Sequence, residues 1–337
     1  MRINPVMKIE IVPVSFSDVD LFSEWEIGLG WDIESTQLSA GANEICFDHF
    51  AFPELLVGHF SSKQSMENLF ALPDGMVMFL ICQAKLPVFW CGRHLPPTLM
   101  GVVRSAREHW VVIPAGWDCY EFMVSEDLLR RTEIFPPDFL AETTQLDRAF
   151  LPLIEPITGQ FLQRMDSFFH RQSRDPNRSL RIAVHRTQFF NFIIHGLLQV
   201  IDAGLRARGS HRPRSARHPD LVTKGRDFVS AHLTTDFSVD DMAHALGVSY
   251  RVLNYAFKDS LGISPYQYIL TQKLHGVRRQ LKSSEISVTE ACFSHGFYTP
   301  SRFTRQYKRL FGERPSETRY PERRKFDRGS KPDSFVS

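Results

Sequence analysis

The sequence predicts an α+β chain with a β-rich N-terminal region and an all-helical C-terminal region. Three observations carry that prediction. Short β-prone runs alternate with proline and glycine turn signals up to about residue 145. The apolar period then lengthens to the three-to-four spacing of a helix. From about residue 220 a helix, a tight glycine turn and a second helix are written twice.

In the first region, Met76–Cys82, Pro87–Trp90 and Trp110–Ile113 read as strands. Pro73-Asp74-Gly75, Pro96-Pro97 and Pro114-Ala115-Gly116 separate them. Many short strands at this spacing suggest a sandwich or a small barrel. Next, Phe150, Leu153, Ile154, Ile157, Phe161, Leu162, Met165 and Phe168 mark a helix over about 147–170. After Asp175-Pro176-Asn177, Leu180 to Leu205 predicts a second helix, with an apolar stripe from Leu180 and Val184 to Ile201 and Leu205. Phe189 and Phe192 widen that stripe, which suggests a dimerisation hairpin packed on its own domain and on a second subunit. An ordinary helix pair within one domain is the alternative.

Residues 206–219 hold five arginines, a glycine and two prolines, and read as a flexible basic linker. The predicted organisation is therefore a domain over 1–205 (β-rich 1–145, helices 147–205), the 206–219 linker, a domain over 220–322, and a disordered polar tail over 323–337.

Within 220–322 a supporting helix runs from about Leu221 to Leu233. Ser238, with Asp241 three residues on, reads as a helix cap. Ala243 and Cys292 are small enough for close helix approach. Gly247 and Gly296, four residues later, supply the positive φ that the turn requires. Ser249 caps a helix with Leu253 and Phe257 inward and Tyr250, Arg251 and Asn254 outward. Ser264-Pro265 starts a long helix to about Leu281, more than about 25 Å at ~1.5 Å per residue. Thr299-Pro300 starts the last helix of the second unit, with Phe303, Tyr307 and Leu310 inward and Ser301, Arg302 and Arg305 outward.

Net charge is +2, but residues 1–205 carry 16 Lys+Arg against 25 Asp+Glu, whereas 206–337 carry 24 against 13. The resulting −9 and +11 suggest a polyanionic partner for the C-terminal half. Five cysteines without Cys-x-x-Cys spacing fit a reducing compartment. With no signal segment and no long apolar run, the expected location is the cytoplasm.

Gly296-Phe297, Ser301-Arg302-Phe303-Thr304-Arg305 and Phe311-Gly312-Glu313-Arg314-Pro315 resemble the signature of the AraC/XylS transcriptional regulators. Phe257-Lys258, Gly262-Ile263-Ser264-Pro265 and Tyr268-Ile269 resemble the tail of the family's first motif. The likeness covers about residues 221–320. It implies two recognition helices in successive major grooves, about 34 Å apart on one face of double-stranded DNA. The family commonly has arginine where this chain has Tyr255, and Arg-Leu where it has Lys273-Leu274. Tyrosine cannot make a bidentate contact to guanine, so a different first-site preference is implied.

On that resemblance the base-contact candidates are Tyr250, Arg251, Asn254, Ser301 and Arg305. Ser249, Lys258, Thr299, Arg302, Lys308 and Arg309 are the phosphate-contact candidates. The resemblance also implies a cupin-like N-terminal barrel that senses a small-molecule effector or mediates homodimerisation, an activator role and contact with RNA polymerase. Phe47, Phe79, Phe89, Trp90, Trp117 and Tyr120 are candidate pocket aromatics, though barrel core explains them as well. Arg93, Arg104 and Arg107 could meet an anionic effector, and Cys82 with Cys91 could form a thiol sensor. An enzyme of the cupin type fused to the DNA-binding module is disfavoured. The 13 histidines contain no His-x-His pair, so no metal, cofactor or catalytic residue is expected.

Overall fold

The computed structural model describes residues 12–83, 86–105, 108–132, 139, 143, 149–173, 186–207, 214–216, 218–283 and 286–318. Arg107, Leu180, Val184, most of the 206–219 linker and the 323–337 tail lie outside the described residues.

Among the described residues, thirteen strands form two antiparallel sheets. The larger has the order β1 (Val12–Phe16), β3 (Ile45–Phe52), β4 (Leu55–Ser62), β11 (Trp117–Ser125), β6 (Met76–Cys82), β9 (Leu99–Arg104) and β12 (Phe150–Pro152). The smaller runs β13 (Arg214–Ser215), β8 (Arg93–Leu95), β7 (Val88–Trp90), β10 (His109–Ile113), β5 (Met66–Ala71) and β2 (Asp32–Gln37). No ladder joins them among the described residues, so this is a sandwich of facing sheets and not the closed barrel expected. Alternation explains the layering, because successive strand residues face opposite sides. On β11, Trp117, Cys119 and Met123 face the space between the sheets, while Tyr120, Phe122 and Val124 face outward.

Two helices cover that outward side: α3 (Ile157–Ser173) and α4 (Arg186–Arg206). Between β11 and α3 lies α2 (Glu126–Arg131), started by Ser125. The apolar stripe overshot the start of α3: Phe150–Pro152 pair with Leu99–Gly101 as a strand, and Pro152 and Pro156 oppose an earlier helix. Phe189 and Phe192 pack in part against their own domain. Phe189 stacks on Phe168 at 3.7 Å and meets Phe50 at 5.0 Å, and Phe192 meets Phe161 at 6.3 Å. Both remain partly exposed there.

The candidate pocket aromatics divide between layers. Phe47 lies between the sheets, Phe79 and Tyr120 lie under the helices, and Phe89 lies on the outer side of the smaller sheet. Only Trp90 and Trp117 of that group line a cavity of about 60 Å³ between the sheets. Arg104 is taken by an ion pair with Glu126, and Arg93 stands on β8. Cys82 ends β6 while Cys91 sits in the turn between β7 and β8, and burial pushes the Cys82 thiol far above its ordinary range, which leaves little reactive thiolate.

The β-rich reading also missed α1 (Val19–Gly28), which Asp18 caps by accepting the Asp20 N–H at 2.9 Å. Its buried residues Val19, Phe22, Ser23 and Glu26 recur at helical spacing.

The outer side of the smaller sheet carries the helical domain: α5 (Pro219–Ala231), α6 (Val239–Ala245), α7 (Tyr250–Leu261), α8 (Pro265–Ser283), α9 (Val288–Ser294), α10 (Pro300–Phe311) and α11 (Pro315–Thr318). Leu38, Phe89, Trp110 and Val112 share one core with Val222, Leu253, Phe257 and Tyr268. The end of the expected flexible linker is fixed here. Arg214 and Ser215 pair with His94 and Arg93, and the Ala216 N–H donates to the Gly92 carbonyl at 2.9 Å.

Polar contacts lock this junction. The Arg278 guanidinium donates to Asp18 at 2.9 Å and also pairs with Glu313 at 2.8 Å. Lys282 joins Asp18 and Asp20, and Arg279 joins Asp20 and Glu34. The buried Glu67 accepts from the Trp110 indole at 2.7 Å, the Tyr268 hydroxyl at 3.1 Å and the Gln272 amide at 2.8 Å. Burial alone would raise the Asp18 carboxyl, but Arg278 and Lys282 more than offset it and hold it far below the usual range. The charge asymmetry thus serves domain docking as well as any external polyanion.

His275, fully buried, donates from Nε2 to the Gln37 carbonyl at 3.1 Å, and its Nδ1 has no hydrogen-bond partner among the described residues. Burial, with Arg279 and Arg278 nearby, lowers its pKa to about 4. A base depressed below its unfolded value near 6.5 binds fewer protons when folded, so stability falls as pH drops from about 6.5 to 4. The expected loss is about 3 kcal/mol over that window. Urea unfolding of the parent and of His275→Gln across it checks this, the variant having the flatter profile.

Candidate nucleic-acid interface

Both helix-turn-helix units are built from local chemistry. In the first, the Ser238 hydroxyl accepts the Asp241 N–H while the Asp241 carboxylate accepts the Ser238 N–H, a reciprocal box that starts α6. In the second, Ser287 and Glu290 do the same for α9. The turns match. Gly247 and Gly296 take φ of 67° and 77°. The Val248 N–H returns to the Ala243 carbonyl at 3.0 Å, and the Phe297 N–H to the Cys292 carbonyl at 3.0 Å. A left-handed residue closes each unit, because only there can the chain reverse without a Cβ clash. Ala243 and Cys292 are buried in the contact, as close packing of the helix pair demands.

The second helix of each unit buries one face and presents the other. In α7, Leu253, Ala256 and Phe257 are buried; Tyr250, Arg251 and Lys258 are exposed, and Asn254 is half-buried. Ser249 caps α7 by accepting the Val252 N–H at 3.4 Å. In α10, Phe303, Tyr307 and Leu310 are buried; Ser301, Arg302, Arg305, Lys308 and Arg309 are exposed. Thr299 precedes Pro300 but makes no capping hydrogen bond, so Pro300 supplies the helix start. Arg302 donates to the Tyr266 hydroxyl at 3.0 Å. Ser301, Arg305 and Lys308, with Arg314, line a groove beside α10. All candidate contact residues therefore lie on the two second helices or at their N-caps.

Between them α8 is the spine. Tyr268 and Ile269 belong to the first unit's core, and Leu274, Val277 and Leu281 to the second's. Gly276 lets His295 approach, since a Cβ there would sit 2.6 Å from its Nε2. Lys273 is a structural cation, donating to the Thr235 carbonyl at 2.9 Å with its ammonium 5.0 Å from the Phe237 ring centre.

Sequence reading missed that the N-terminal domain touches both second helices. His94 lies 3.5 Å from Asp259 of α7. The Gln37 amide donates to the Leu310 carbonyl at 2.8 Å, and the Gly41 N–H to the Arg309 carbonyl at 2.9 Å. These are the orphan carbonyls that end α10, which every helix must satisfy somewhere. Nothing in residues 37–42 signals this role, because the partners lie some 270 positions away. Among the described residues no group of three or more histidine, cysteine, aspartate or glutamate side chains could hold a metal, and no helix is long and apolar enough to cross a membrane.

A helix-turn-helix domain family model matches residues 242–320, α6 through the end of the helical domain. The chain is 29% identical over 161 residues to a probable thc operon regulatory protein of Rhodococcus erythropolis, covering 47% of this chain and 48% of that protein. It is 33% identical over 94 residues to the XylDLEGF operon transcriptional activator 1 of Pseudomonas putida, covering 27% and 28% respectively. The chain thus spans about half or less of these relatives. Among solved structures, a transcriptional regulator of Chromobacterium violaceum described by AraC-type DNA-binding domains is 30% identical. That match covers 30% of this chain and 89% of that one, with a TM-score of 0.29. Through its two helix-turn-helix units this chain belongs to the AraC/XylS family of transcriptional regulators.

Proposed function

We propose that this protein binds double-stranded promoter DNA sequence-specifically and regulates transcription. One observation carries the reading: two units of matching geometry share the single spine α8, and each presents a polar and cationic helix face to solvent. Two heads fixed on one rigid helix suit successive major grooves on one face of the duplex. Arg251, Asn254 and Arg305, with Tyr250 and Ser301, are the base readers; Lys258, Arg302, Lys308 and Arg309, with Ser249 and Thr299, grip phosphates. The N-terminal domain gates this surface, because its residues 37–42 and 94 bind both second helices. A small-molecule effector sensed by that domain would set the gate, and activation through RNA polymerase is the sign suggested by the named operon activator. Homodimerisation through α3 and α4 is the finer expectation, and equilibrium sedimentation of the full chain tests it.

Two substitutions separate the roles on α10. Arg305→Ala is expected to lower affinity about 5- to 150-fold and relax preference at one base position. Lys308→Ala is expected to weaken all sequences alike and to reduce the slope of log affinity against log salt by about one. Fluorescence anisotropy over a salt series, with the selected sequence and single-base variants, reads both. An unchanged base preference for Arg305→Ala contradicts its assignment.

A further inference from the structure

The cavity between the two sheets is walled by aromatic rings and set with acceptors. Trp31, Trp90 and Trp117 form much of its lining, and Glu26, Glu121 and Asn68 enter it. Among the described residues, its lining contains no lysine, arginine or histidine. Glu26 is 4% exposed and its Oε2 has no hydrogen-bond partner among the described residues; Asn68 Oδ1 is likewise unpartnered among them. Glu121 lies on the inward side of β11 with Trp117 and Cys119, and the weakly donating Cys119 thiol sits 3.8 Å from its carboxylate. Buried acceptors without donors are costly, and two carboxyl groups facing one apolar space cost more. Burial, with Glu121 beside it, pushes the Glu26 carboxyl well above its ordinary range, and burial pushes Glu121 up to about 7. What the site lacks is a donor that carries positive charge.

We propose that this cavity binds a small apolar amine as its ammonium ion, with Glu26 and Glu121 as counter-charges, Asn68 Oδ1 as a further acceptor and the tryptophan faces around the cation. The inference rests on the effector-controlled reading above and names the chemistry of that effector. A metal is a poorer occupant, since aromatic walls with two carboxylates and one amide supply too few hard ligands. A free carboxylate would meet two carboxyl groups and no cationic side chain among the described residues. About 60 Å³ holds roughly five waters, so the natural scale is an amine of few non-hydrogen atoms. Position gives the site its output. Glu26 is in the last turn of α1, and Asp18 and Asp20, at that helix's start, hold Arg278 and Lys282 of the spine α8. Ligand charge met at one end of a ten-residue helix is thereby felt at the domain junction.

The test uses the full chain and three near-isosteric probes, n-butylamine, n-butanol and butyrate, with binding followed by saturation-transfer NMR and by melting temperature. Butylamine is expected to bind at least about 10-fold tighter than butanol, with butyrate weakest. Glu26→Gln and Glu121→Gln are each expected to lower butylamine affinity about 10-fold or more while changing butanol affinity little. Equal binding of amine and alcohol, tightest binding of butyrate, or no binding to the folded parent chain would each overturn the proposal. The parent series decides even if a glutamine variant fails to fold. DNA affinity is measured in the same samples. Intact DNA binding without amine binding overturns this inference alone. Amine binding that leaves DNA affinity unaltered supports the site and overturns effector control.

Discussion

Asp18→Ala is expected to destabilise the full chain by about 3–5 kcal/mol. The carboxylate has three duties: it caps α1, it pairs with Arg278, and it pairs with Lys282. Removing one member of a buried ion pair leaves the other charged and desolvated, which is why the loss exceeds the worth of a surface pair. Glu313 still reaches Arg278 at 2.8 Å and Asp20 still reaches Lys282 at 2.7 Å, so the lower part of that range is favoured. The cap contributes about 1 kcal/mol of it. Urea unfolding measures the total. Limited proteolysis between the domains measures where it acts, with faster cleavage expected in the variant. A midpoint shift worth less than about 0.5 kcal/mol would show that the junction is not held by this pair.

The second large effect is on binding. Arg251→Ala with Arg305→Ala removes one proposed base-reading side chain from each helix-turn-helix unit. Each loss is worth about 1–3 kcal/mol. The two side chains sit on different helices, α7 and α10, with separate cores, so the losses are expected to add. The double variant should bind its preferred sequence about 2–6 kcal/mol more weakly, from roughly 30-fold to more than 10⁴-fold. Binding to arbitrary DNA should fall far less, because the phosphate contacts remain. If the second substitution adds nothing to the first, one head does not touch DNA.

The helical domain was legible because its determinants are local. Capping residues, small residues at helix contacts and glycines with positive φ fall within a few positions of one another, and apolar spacing marked Leu253, Phe257, Phe303 and Tyr307 as buried. The N-terminal domain was legible only as strands and turns. Its pairings are long-range: β4 meets β11 some 60 residues later, and no local signal states which strand is whose neighbour. Facing sheets and a closed barrel share the same alternation, so the sequence could not choose between them. Charge was the most misleading signal. Arg278, Arg279 and Lys282 counted toward a DNA-seeking surface but are turned inward onto Asp18, Asp20 and Glu34. Glu26 hid for the opposite reason, since a glutamate in a short helix reads as solvent-facing until Phe22 beside it is seen to be buried.

These inward charges also connect the two halves of the account. The residues that end α10 hydrogen-bond to Gln37 and Gly41, and the spine α8 is held by α1. The N-terminal domain therefore contacts the second helix of each unit and leaves Arg251, Lys258, Arg305 and Lys308 exposed.

The most direct measurement is a binding selection from random duplex DNA, at fixed salt, with the full chain and with Asp18→Ala in parallel. The account predicts enrichment of one motif made of two short elements whose centres are about 10–10.5 base pairs apart, one helical turn. Arg305→Ala in the same selection should blur one element and leave the other. Enrichment of a single element, or of no sequence by either protein, would contradict the claim that two heads on one spine read successive major grooves.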